Sequence, residues 1–186
     1  MSPPAYMESL AQYDAYWPKL KLLACPHCHA VGFLIRHGFL KGYKNDSSQE
    51  IIKRGWRVFC SNRGQRNGCG GTYSILLSCF LRRRSVTAIQ LWSFLEQVLV
   101  GLAIQAAWFS TGSTQSEHCA YRLWKSWKKS QSWIRERLCR LNTPPRSHQT
   151  DRWLQAIEHL KAVFPSPQNP VAAFQFHFQK PFFPCS

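Results

Sequence analysis

Cys25-Pro26-His27-Cys28 and Cys60-x8-Cys69-Gly70 are the residues whose types and spacing can do chemistry. Tetrahedral zinc wants four soft ligands, and two separated cysteine pairs on tight turns supply them. In the first pair a two-residue gap lets both thiolates face one ion while the amides of the turn soften the sulfur charge. Pro26 stiffens that turn, and Gly70 permits a left-handed backbone just past the last ligand. Thirty-one residues separate the pairs, room for the two or three strands of a ribbon. The second pair departs from the usual spacing, because eight residues, Ser61 to Gly68, lie between its cysteines. That insert is polar, basic and glycine-rich, and is expected to bulge out as a loop while the sulfurs converge. The expected ligand set is therefore Cys25, Cys28, Cys60 and Cys69 around one structural zinc, a closed site with no open position for water or substrate. The competing arrangement makes Cys60 and Cys69 ordinary small residues and completes a different site with His27, His29 or Cys79. Cys119, Cys139 and Cys185 have no partner spacing and are expected to be free thiols.

Four segments are expected to position these groups. Residues 1–24 carry a weak helical pattern (Leu10, Tyr13, Trp17) ended by Pro18. Residues 25–84 form the zinc ribbon with its basic loop. Val31 to Phe39, Gly55 to Cys60 and Thr72 to Leu77 are strand-like, and 45–49 is a polar loop. Residues 85–141 read as helix throughout. Val86, Ile89, Leu91, Trp92, Leu95, Leu99 and Leu102 recur every three or four positions. A short apolar piece, Ala103 to Phe109, follows Gly101. After the turn Ser110-Thr111-Gly112-Ser113, Thr114 and Glu117 match a capping box that starts a helix reaching Leu141. Residues 142–186 hold a helix from about Asp151 to Phe164. They end in Phe174-Gln-Phe-His-Phe178, whose alternation fits an edge strand or an extended tail. The expected class is α+β, a small four-cysteine zinc ribbon of short antiparallel strands followed by a helix-turn-helix-like helical domain.

Charge points to the partner. The 186-residue chain carries 24 Lys+Arg against 9 Asp+Glu, a net charge of +15. Of these, 11 bases and two acids fall between Cys25 and Arg84. Such an excess calls for a polyanion, and nucleic acid is the default at this balance. So few acids leave little material for a carboxylate active site. No paired carboxylates, nucleophile–base pair or glycine-rich phosphate loop stands out, so the chain is expected not to be an enzyme. The candidate nucleic-acid contacts are Arg63 and Arg66 in the insert and Arg82, Arg83 and Arg84 at the junction with the helices. Gln115, Ser116 and Arg122 fall early on the capped helix, where side chains read base edges, and Lys125, Lys128 and Lys129 lie along it toward phosphates. No stretch is long and apolar enough for a membrane span, and residues 1–10 do not make a signal peptide. The expected compartment is the cytoplasm, beside the nucleoid.

The segment Arg57-Val-Phe-Cys60 through Cys69-Gly-Gly-Thr-Tyr-Ser74, taken with Cys25-Pro-His-Cys28, resembles the N-terminal zinc ribbons of bacterial insertion-sequence transposases and their small accessory proteins. The resemblance implies a ribbon and helix-turn-helix that recognise transposon ends as duplex DNA, with a transposase as partner; separately, the capped helix is longer than a compact recognition helix needs, which leaves part of it for homodimerisation. It does not extend to a catalytic domain. Only Asp151 and Glu158 remain after the helices, too few for a three-acid metal site. Two other classes stay open: an RNA-binding ribbon protein, and a protein-interaction adaptor that uses the tryptophan-rich helices.

Overall fold

The computed structural model describes residues 2–45 and 48–184. Among them are four strands and six helices, an α+β protein that divides into two compact units. The first unit takes the chain up to Lys44 and from Glu50 to Ser78, and the second holds Cys79 onward. No helix among the described residues is long and apolar enough to cross a membrane.

The first unit is built on one sheet of order β1-β4-β3-β2. Strands β2 (Leu34–Tyr43), β3 (Ile51–Cys60) and β4 (Thr72–Leu77) pair antiparallel, and β1 (Tyr6–Met7) adds a parallel edge on β4. Two of these strands extend further than expected, because glycine does not end them. β2 passes Gly38 by shifting register between Arg36 and Gly38, a bulge that uses the positive φ of that glycine. β3 contains Gly55, where a Cβ would meet the Ile75 carbonyl oxygen at 2.2 Å, so the missing side chain lets β4 close in. The hairpin is shut by Lys44 N–H donating to the Glu50 carbonyl. Residues 46 and 47 of the expected polar loop lie outside the described residues.

Helix α1 (Leu10–Leu20) starts at Ser9, whose hydroxyl accepts from Gln12 N–H. It does not stop at Pro18, as expected, but carries it inside the last turn. A proline there removes one backbone bond, and the complete burial of Leu20 at the helix end favours keeping the turn. Tyr13 of this helix stacks on Trp56 of β3 at 3.9 Å between ring centroids. Leu34, Val58 and Ile75 complete the core beneath them.

The second unit is all helix: α2 (Ala88–Leu99), α3 (Ile104–Phe109), α4 (Glu117–Leu138), α5 (Arg152–Val163) and α6 (Pro170–Phe178). The capping box lies at the start of α2, not at Thr114. There Thr87 Oγ1 accepts from Gln90 N–H and Gln90 Oε1 accepts from Thr87 N–H. Around Thr114 the backbone is occupied elsewhere. Ser113 Oγ accepts from Gln115 N–H, and the Gln115 carbonyl accepts from buried Trp108 Nε1 at 3.1 Å. That turn stays non-helical, so α4 begins at Glu117 with Ser116 as an N-cap that makes no side-chain bond. Its buried face is Cys119, Ala120, Leu123, Trp127, Ser130, Ile134 and Leu138, while Leu141 is exposed past its end.

The segment 174–178 is neither strand nor extended tail. Asn169 caps α6 by accepting from Ala172 N–H, and Pro170 takes the first helical position, where a missing N–H does no harm. The alternating Phe residues also satisfy a helix. Phe174 and Phe178 meet at 4.7 Å one turn apart, and Phe182 stacks on Trp127 at 5.8 Å.

Candidate metal centre

Three local structures bring the four thiols to one point. Before β2, Cys25 N–H donates to the Ala30 carbonyl and His29 N–H to that of Cys25, closing a turn that presents Cys25 and Cys28 together. His29 completes the turn with φ +61°. Cys60 ends β3 opposite Leu34 of β2, which sets the far wall. Cys69 arrives through a pinched neck. Gly68 N–H donates to the Ser61 carbonyl, Gly70 N–H to that of Cys60, and Cys60 N–H to that of Gly71. The neck requires a glycine at 68, because a Cβ would sit 2.2 Å from the Ser61 oxygen. The eight-residue insert therefore leaves and returns at one place, and Cys69 stands beside Cys60 as it would in a short turn.

A tetrahedral ion with bonds of about 2.3 Å to sulfur needs its ligands about 3.8 Å apart. Cys25 Sγ and Cys69 Sγ are 3.8 Å apart, and so are Cys28 Sγ and Cys60 Sγ. All four atoms lie within 4.8 Å of one another. The spacing is far too long for disulfides, which need about 2.05 Å, and the four cysteines are free. Each sulfur also receives a backbone N–H: from His27 to Cys25, Ala30 to Cys28, Cys69 to Cys60 and Gly71 to Cys69. Such amides offset the negative charge that four thiolates concentrate on a small volume. The residues present thus fit a metal ion. His27, His29 and Cys79 stay outside the cluster, with the His27 ring set against Gly71 and its Nε2 3.3 Å from the Thr72 carbonyl oxygen.

The thiols are not equivalent. Cys28 is exposed and is held down to about 7, first by the Ala30 amide. Burial pushes Cys60 up to about 12. Metal loading expels whatever protons the sulfurs carry. Cys60 carries one throughout the neutral range, whereas Cys28 carries one only below its depressed value. Affinity is therefore expected to fall as pH falls, and more steeply below pH 7 than above it, by about one extra proton per ion. Titrating the protein with metal between pH 6 and 8.5 in a weakly buffered dye solution measures this directly. A constant proton count across that range would contradict the ordering.

The candidate nucleic-acid residues are spread over both units. Arg63 and Arg66 are exposed on the insert, with the Arg63 guanidinium 5.4 Å from the Phe59 ring centroid. In the second unit Arg82, Arg83, Ser116, Arg122, Lys125, Lys128 and Lys129 are exposed. Arg84 is half-buried, bonded to Ser126 Oγ at 3.0 Å and lying over Phe183. Lys128 sits over Trp153 at 4.9 Å. Gln115 is committed, since its Nε2 donates to Ser85 Oγ at 2.6 Å. The sequence reading passed over a further set on the sheet. Arg36 and Lys53 both lie over Phe39, at 4.7 and 4.1 Å, and Arg57 is exposed on the same pair of strands. They do not share one face: Arg57 alternates with buried Trp56 and Val58 along β3, whereas Arg36 is paired opposite Val58 and lies on that residue's side of the sheet. Cys79, Cys119 and Cys139 form no disulfide and lie apart from the cluster, and Cys185 lies outside the described residues. No protein-family model, curated protein or solved structure matches the chain.

Proposed function

We propose that the protein is a zinc-bearing, non-catalytic duplex-DNA-binding protein, acting as an accessory or regulatory protein of a mobile element. One observation carries the reading: a four-sulfur cage of zinc dimensions in a unit whose surface is strongly cationic. Zinc suits the cage because four thiolates at tetrahedral spacing are its preferred structural set. The same four ligands fill the ion's coordination shell, which supports a structural metal and a protein without a reaction to perform. Cys25, Cys28, Cys60 and Cys69 would hold the ion, which supplies cross-linking and charge neutralisation. This chain's own contribution is the turn, the neck and the amides that keep the sulfurs apart and in place.

The order α2, short α3, turn, long α4 supports a helix-turn-helix reading, on which Ser116 and Arg122, exposed at the start of α4, face the duplex. The bond of Gln115 to Ser85 argues against its reading adenine. Contacts on this reading are weighted toward phosphate, with the cations of the insert and the sheet positioning the duplex. The transposon-end context rests on the likeness of the Cys motifs to transposase ribbons, and a transposase would be the natural protein partner.

Phosphate contacts release counterions, so affinity for duplex is expected to fall steeply with salt. Replacing both Arg63 and Arg66 with glutamine is expected to reduce the slope of log K against log salt by about two. Fluorescence anisotropy with the metal-loaded protein between about 50 and 300 mM salt reads it. Failure of the loaded protein to bind any duplex at low salt would remove the proposal. Tighter binding of structured RNA than of duplex in a competition assay would move it to the RNA class.

A further inference from the structure

In the second unit the segment before α2 crosses the start of α4 and leaves a cavity of about 200 Å³. Arg83, Arg84 and Arg122 line it, together with Ser85 and Gln115. Three arginines and no acid among its lining residues make the space strongly cationic, a surrounding that favours an anion. Arg84 is anchored by Ser126. Neither Arg83 nor Arg122 makes an ion pair with a carboxylate among the described residues. The nearest acid along α4, Glu117, does not line the cavity.

Two features show that the cavity is built rather than incidental. Arg83 holds φ +58°, a conformation disfavoured for a side-chain-bearing residue. The wall is fixed by the short Gln115 Nε2 to Ser85 Oγ bond, which ties the segment before α2 to the turn before α4. The first turn of α4 adds its partial positive charge, and Ser116 leaves that helix end without a side-chain cap.

We propose that this cavity is a socket for one phosphate group, gripped by Arg83 and Arg122 with Arg84 as the fixed base. Arginine suits the task because its planar fork pairs with phosphate oxygens two at a time. The phosphate comes either from within a nucleic-acid backbone or from a free or terminal phosphoryl group. As a nucleic-acid contact the socket rests on the DNA-binding reading above; as an oxyanion site it stands without it.

The full metal-loaded chain is titrated with inorganic phosphate by calorimetry at constant ionic strength. It is then titrated with duplexes of one sequence bearing 5′-phosphate or 5′-hydroxyl ends. Arg83→Gly removes a guanidinium while relieving the backbone, since glycine adopts that φ freely. Arg122→Gln removes the second, and melting of the helical unit confirms that both variants fold. The wild type is expected to bind phosphate, with each variant weaker by about ten-fold and its duplex salt slope lower by about one. A preference for 5′-phosphate identifies a terminal group, and equal binding of both duplexes a backbone one. A wild type that takes up no phosphate, or variants that match it, overturns the socket. Phosphate uptake without duplex binding leaves the socket standing and discards the DNA-binding reading. Duplex binding that ignores both variants does the reverse.

Discussion

Cys60→Ser is expected to empty the metal centre and unfold the sheet unit while leaving the helical unit folded. Cys60 is fully buried at the end of β3, and its sulfur sits 3.8 Å from that of Cys28. A serine oxygen is a harder and weaker ligand for this kind of ion and is shorter by the difference in bond length, so three sulfurs must close on the metal without the fourth. Structural zinc sites of this type contribute about 10–16 kcal/mol of apparent binding free energy to folding. A unit of this size has a small net stability of its own, because little of its surface can be buried. Losing even a third of the metal's contribution exceeds that margin. Metal analysis should fall from one ion per chain to nearly none, and the sheet unit's melting transition should disappear from the near-ultraviolet signal of Trp56. The helical transition should remain at its usual temperature. A variant with full metal content and an unchanged melt would show that the sulfurs do not act as one site.

Trp127→Ala is expected to give the complementary result. Trp127 is completely buried in α4, stacks on Phe182 at 5.8 Å and donates its Nε1–H to the Trp153 carbonyl at 3.3 Å. Truncation leaves a cavity beneath α5 and the C-terminal aromatic cluster and removes the indole's hydrogen bond to that carbonyl. Replacing a buried tryptophan by alanine costs about 3–5 kcal/mol. For a unit of roughly a hundred residues that lowers Tm by more than about 10 °C. Metal content should not change, because Cys79 onward contributes none of the four sulfurs. Differential scanning calorimetry of the metal-loaded variant separates the two transitions. A loss of less than about 1 kcal/mol would mean that the α4 core relaxes around the gap far more than close packing allows.

The four-cysteine cluster was legible in the sequence because a candidate metal site leaves a local trace: paired sulfurs on turns, with residues that permit the turn. The awkward Cys60–Cys69 gap was legible only as a loop. The closure at Gly68 depends on a backbone approach to Ser61 that spacing does not reveal. Helices α2 to α5 of the second unit were readable from apolar recurrence, apart from their ends. The start of α4 is decided by Trp108 bonding to Gln115, a contact between two elements rather than a property of either. Phe174 to Phe178 was misread because five residues can satisfy both a two-residue and a helical period, and the Asn169-Pro170 start signal lay outside the window. β1 was missed for a different reason. Two residues hold no period at all, and they form a strand only because Leu76 and Leu77 offer a parallel edge some 70 residues away. Arg36, Lys53 and Arg57 form no run in the sequence; Arg36 and Lys53 come together over Phe39 only through the pairing of β2 with β3.

The closed neck between Ser61 and Gly68 makes the residues beyond it an appendage whose length the ion does not feel. Doubling a flexible loop adds only about 0.6 kcal/mol of closure entropy. Epitopes or longer basic arms grafted between Asn62 and Asn67 should thus be carried without disturbing the coordination sphere, which makes this spot a natural port for reprogramming what the protein grips.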